Sequence, residues 1–127
     1  MDVVRLAKRE YPARAQHDVR GSSVLDSSDR IVGYVADLYV DEDERHLRFL
    51  DVATEGFMGL GRKHYLVPFE AVIPFAEASR RGYSGSIGLQ VDRESVQRSP
   101  TFANPLAGPD PEFQEAILQH YGYGQRK

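Results

Sequence analysis

The chain has 127 residues, a net charge of −3, 41% hydrophobic and 28% charged residues, and no cysteine. That composition fits one soluble globular domain with a modest core. It excludes disulfides, thiol catalysis and thiolate metal sites, and its acidic balance argues against a nucleic-acid binder, which carries a basic field. No segment approaches the roughly 20 consecutive apolar residues that span a bilayer, so no membrane insertion is expected. The first ten residues lack the apolar core of a signal peptide, and a cytoplasmic location follows as the expectation.

Residues 1–18 are mixed and charged, and Pro12 interrupts any helix. Val3, Val4, Leu6 and Ala7 suit one helical turn, and the segment is expected to be an N-terminal arm. A short strand over 22–25 is bounded by Gly21 and by Asp26-Ser27-Ser28-Asp29, a turn cluster whose side chains bond their own backbone. Over 31–40 the even positions Val32, Tyr34, Ala36, Leu38 and Val40 are all apolar. This is the alternation of a strand with one buried face, and Gly33 marks a bulge or bend within it. Asp41-Glu42-Asp43-Glu44-Arg45-His46 is the next turn, and residues 47–54 return to complete a hairpin. There Leu47 and Phe49 fall on one face, and Leu50 and Val52 on the other. Either both faces are covered or a bulge shifts the register.

Residues 56–62 hold three glycines and read as a loop carrying Phe57, Met58 and Leu60. A strand over 64–69 runs up to Pro68, which cannot donate to a ladder. A second extended piece covers 72–75, and 76–84 is a turn region with Arg80-Arg81-Gly82. Gly85, Ile87, Leu89 and Val91 then alternate with Ser86, Gly88 and Gln90, the cleanest strand pattern present. Asp92 caps a short helix over 93–98. Four prolines between 99 and 111 give a linker, which Asp110-Pro111-Glu112 ends as a helix start. Phe113, Ala116, Ile117, His120 and Tyr121 share one face of that helix, and Gly122 stops it. The expected core includes Val32, Tyr34, Leu38, Ile87, Leu89 and Val91.

In order and spacing, the strand at 22–25, Gly33-Tyr34-Val35-Ala36-Asp37-Leu38, the acidic turn, Leu66-Val67-Pro68-Phe69 and the closing strand with its helical turn resemble the PRC-barrel family. The resemblance spans residues 18–102. It implies an all-β fold, a small barrel of about six strands, here with a short C-terminal α-helix. The domain division is then an arm at 1–18, the barrel at 19–102, and a linker with an amphipathic helix at 103–127. The family occurs in the photosynthetic reaction-centre H subunit, in a ribosome-maturation factor and as stand-alone proteins. It implies an interaction or assembly module with no catalytic set.

The candidate chemistry points the same way. Asp41 to Glu44 lack the glycine and distal glutamate of a calcium loop and read as a solvated turn. His17, His46, His64 and His120 have no metal-ligand spacing. The glycine loop is followed by His64 rather than by the Ser or Thr and helix of a phosphate loop. No metal, no cofactor and no enzyme activity are therefore expected. The expected function is a non-enzymatic protein–protein adaptor that self-associates, with an unnamed protein partner. The alternative is an RNA- or ribosome-linked assembly factor, for which Arg62, Lys63, Arg80, Arg81 and Tyr83 would supply phosphate contacts and stacking. The candidate contact surface is Phe57, Met58 and Leu60 on the loop with Phe113, Ile117 and Tyr121 on the helix. That helix either braces its own barrel or binds a neighbour.

Overall fold

The structure is a computed structural model that describes residues 2–54 and 61–124. Its strands are β1 (Val3–Arg5), β2 (Ser23–Leu25), β3 (Ile31–Asp41), β4 (Leu47–Thr54), β5 (Lys63–Pro68) and β6 (Ser86–Gly88). Its α-helices are α1 (Phe75–Arg80), α2 (Arg93–Arg98) and α3 (Pro111–His120). The strands form one sheet in the order β5-β4-β3-β2-β6. β1 pairs with the far end of β3, beyond β2, at Tyr39, Val40 and Asp41. β2 and β6 are parallel, and the other pairs are antiparallel. Among the described residues no helix is long and apolar enough to cross a membrane.

The expected barrel is corrected in one respect: the sheet does not close on itself. β5 and β6 are its two ends and share no ladder. Pro68 ends β5 and a 3₁₀ turn over Phe69–Ala71 diverts the chain. The diverted backbone meets the continuation of β6 at one pair, Val72 opposite Leu89, flanked by the Ile73 N–H to Gly88 C=O and Gln90 N–H to Ala71 C=O bonds. The fold is barrel-like, with a single bridge where a full ladder would complete the ring.

Both faces of β4 are covered, and a bulge also shifts its register. Tyr39 pairs with Phe49 and Val40 with Leu47, so Arg48 is extra; Val35 pairs with Val52 and Asp37 with Asp51, so Ala36 is extra. Each extra residue flips the alternation, because a strand's side chains change face at every step. Val32 is extra in the same way, since Gly33 pairs with Val24 and Ile31 with Leu25 on β2, and Val32, Val35, Leu38 and Val40 therefore all point into the main core, with Leu47, Leu50, Val52, Ile87, Leu89 and Val96. Tyr34 and Val91, expected in the core, are half-buried instead. The opposite face carries a second cluster of Tyr39, Phe49, Leu66, Phe102 and Ile117.

Three further expectations are corrected. Residues 3–5 form a strand rather than a helical turn, and Leu6 beyond it is fully buried. Residues 75–80 are helical, because Phe-Ala-Glu-Ala-Ser-Arg is rich in helix formers and Pro74 precedes it. The alternating run at 85–91 is a strand only over Ser86–Gly88. The two aspartate caps form as expected: Asp92 accepts from the Ser95 N–H at 2.7 Å and Asp110 from the Phe113 N–H at 2.7 Å.

Candidate functional site

The outer face of the sheet divides into an apolar half and a charged half. Tyr39, Phe49 and Leu66 supply the apolar half. Residues beyond α2 cover it. Thr101 bridges Tyr65, and the Phe102 N–H bonds the His64 carbonyl at 2.8 Å. The Phe102 ring meets Tyr39 edge-on at 5.5 Å and stacks on Phe113 at 5.5 Å. The Tyr39 hydroxyl donates to the Pro105 carbonyl at 2.5 Å. Burial pushes the Tyr39 phenol well above its usual range.

The charged half is a row across four strands. Arg5 on β1 pairs with Asp37 on β3 at 3.2 Å. Asp37 stands directly opposite Asp51 on β4. Asp51 is fully buried and lies within 2.9 and 2.8 Å of the His64 Nδ1 on β5. An ionised carboxylate only accepts, so Nδ1 carries the proton. Burial pushes the Asp51 carboxyl above the usual carboxylate range, the hydrogen bond and charge of His64 oppose that, and Asp37 adds to it. Beyond the Arg5–Asp37 end lies an open polar groove of about 480 Å³, lined also by Lys8, Tyr11, Asp18 and Arg20.

A second groove, of about 630 Å³, opens where the 3₁₀ turn Ala15–His17 lies against the chain between β5 and α1. Phe69, Val72, Pro74 and Phe75 line it, with Arg14 and Glu70 among its polar residues. His17 sits against both aromatic rings, 5.1 Å from Phe69 and 5.2 Å from Phe75, and these two rings are 5.9 Å apart. Burial, then the neighbouring Arg14 and His46, lowers the His17 pKa, which favours the neutral ring. Phe69 and Phe75 are half-buried, although the core behind them is closed by Val72 and Ile73.

Of the residues singled out in the sequence, Phe57, Met58 and Leu60 lie outside the described residues. Ile117 is fully buried in the second cluster, with Phe113 and Tyr121 half-buried against it. The helix is docked on its own sheet. Leu118, rather than Ala116 or His120, completes its inward face. In the acidic turn, Asp41 is buried and accepts from the Glu44 and His46 N–H groups at 2.6 and 3.1 Å. The basic residues do not converge: Arg62 lies 5.6 Å above the Tyr34 ring, Arg81 pairs with Glu77 at 3.5 Å, and the Tyr83 hydroxyl donates to Asp29. Sequence reading missed the charge row. Its signal was Asp51, a charged residue inside a strand that is apolar on both faces and therefore needs a partner.

Asp26 is a second buried carboxylate missed as a hub. Its Oδ1 accepts from the Ser28 and Arg30 N–H groups at 2.9 and 2.8 Å. Its Oδ2 accepts from the Arg93 N–H at 2.8 Å and the Arg30 Nε at 3.0 Å. It thereby ties the β2–β3 turn to the start of α2.

No curated protein matches the chain. The PRC-barrel domain family matches residues 13–81, a stretch that begins after β1 and ends before β6. That match covers more than half of the sequence, so the chain belongs to the PRC-barrel domain family.

Proposed function

We propose that this chain is a non-enzymatic protein–protein interaction module, a cytoplasmic adaptor that self-associates through the His17–Phe69–Phe75 groove. Family membership supports a small interaction or assembly module. The observation that carries the finer reading is the groove itself: two phenylalanines and a partly desolvated histidine remain half-exposed on the outside of a closed core. Contiguous apolar surface of this kind marks contact sites, and a two-fold pair of identical chains is the commonest way to cover it. The buried polar groups serve the fold: Asp26 joins a turn to a helix, and Asp51 with His64 joins two strands.

Light scattering at tens of micromolar tests this, with wild type and a Phe75→Glu variant. The expected result is a dimer mass for wild type and the mass of one chain for the variant. A wild-type mass of one chain, or a dimer unchanged by Phe75→Glu, rejects the groove as the self-contact.

A further inference from the structure

We propose that the Asp51–His64 pair is a proton-operated latch on the C-terminal cover, which holds residues 101–120 against the sheet while the pair keeps its proton and loosens them when it is lost. Three features place the pair at the hinge of that cover. His64 supplies both the imidazole that faces Asp51 and the carbonyl that receives the Phe102 N–H, so one residue joins the charge row to the covering segment. Asp51 is fully buried on the face that the cover occupies, so water does not screen a change in its surroundings. Of the remaining groups around it, only Arg5 opposes a lost positive charge, and it does so in part. From β3, Asp37 faces it with a like charge and Tyr39 with a buried phenol, and Arg5 on β1 is already paired with Asp37.

The sign follows from these neighbours. With the imidazolium present, the buried carboxylate has an opposite charge at hydrogen-bond distance. With the imidazole neutral, two carboxylates stand opposite each other with one arginine, paired to Asp37, beside them. The raised Asp51 pKa adds in the same direction: the native state binds that proton more tightly than the unfolded chain, so its stabilisation is lost as pH rises. The sheet below does not depend on the pair, because its main core lies on the other face.

Amide hydrogen exchange on the full chain tests the latch. Protection at the Phe102 amide, corrected for intrinsic exchange, is followed between about pH 5 and pH 8, the window in which histidine side chains change charge. The Val35 amide, bonded to the Ser22 carbonyl on the core side, is the internal control. Protection at Phe102 is expected to fall severalfold with rising pH, while protection at Val35 stays level. Asp51→Asn is expected to flatten the fall. Asp37→Asn changes a part-exposed residue, so it preserves the fold and is expected to shrink the fall by removing the like charge. A level Phe102 profile in wild type, an undiminished fall in Asp51→Asn, or an undiminished fall in Asp37→Asn overturns the proposal.

Discussion

Asp26→Asn isolates the contribution of the turn-to-helix hub. In the native state burial pushes the Asp26 carboxyl up, but the N–H groups of Arg30, Arg93 and Ser28 and the Arg30 guanidinium more than offset this and hold it at about 2, against an ordinary 3.8. Each tenfold change in proton affinity is worth about 1.4 kcal/mol, so the carboxylate contributes on the order of 2–3 kcal/mol near neutrality. Because the native value is the lower one, that stability is fully present above the ordinary value of 3.8 and is lost as pH falls towards 2. Asparagine keeps one acceptor oxygen but turns the other position into a donor. That position faces either Ser28 N–H and Arg30 N–H or Arg93 N–H and Arg30 Nε, which are donors as well. Urea unfolding of both proteins, repeated over a pH series, reads the difference directly. The variant is expected to be less stable by about 2–3 kcal/mol at neutral pH, with the gap closing towards pH 2. A gap that stays constant over the whole series would show that the loss is one of packing and not of charge, and a gap near zero at neutral pH would remove Asp26 as a hub.

Two other substitutions test the sheet itself. A Cβ built on Gly33 would lie 2.1 Å from the Ala53 carbonyl oxygen, a backbone atom that cannot swing aside; Gly33→Ala is expected to cost at least the 1–3 kcal/mol usual for overpacking, and an unchanged urea midpoint would refute so close an approach of β3 and β4. Leu89 is fully buried and pairs with Val72 at the one bridge between the sheet ends; Leu89→Ala is expected to cost about 2–5 kcal/mol in thermal or urea unfolding, and a shift near zero would mean that the bridge is open.

The positions of β3, β4, α2 and α3 were legible because each has a local cause: alternation bounded by turn residues, or an aspartate cap before a short helical run. The facing of their side chains was not. Alternation carried across 31–40 puts Tyr34 in the core and leaves Val35 out, whereas the bulges at Ala36 and Arg48 bring in Val35, Leu38 and Leu47 together. A bulge is set by both strands at once and leaves little trace in either. Pairing between distant segments was equally hidden. Nothing local tells β1 to lie beside β3, or β6 to run parallel to β2, since three-residue strands are chosen by what they cover. The aromatic groove shows the same limit. His17 is about fifty residues from Phe69 and Phe75 in the chain, and only the fold brings the three rings together.

Asp26 and Asp51 are both fully buried, yet their carboxyls move in opposite directions. The difference lies in the donors. Around Asp26 three of the four donated bonds come from backbone N–H groups, which hold their protons at every pH, and the fourth comes from an arginine. Around Asp51 the only donor among the described residues is one imidazole side chain and not a set of backbone N–H groups, and a second carboxylate stands opposite. Stability therefore has an acid limb and an alkaline limb with separate origins. Acid protonates Asp26 and frees the start of α2 from the β2–β3 turn. Alkali strips the proton from the Asp51–His64 pair and acts at the β4–β5 face beneath the C-terminal cover. Because the two carboxylates sit at different places in the fold with no shared partner, the limbs are expected to vary independently: Asp26→Asn should shrink the acid limb, to which Asp18, Asp41 and Asp92 also contribute, and leave the alkaline one, and Asp51→Asn should shrink the alkaline limb alone.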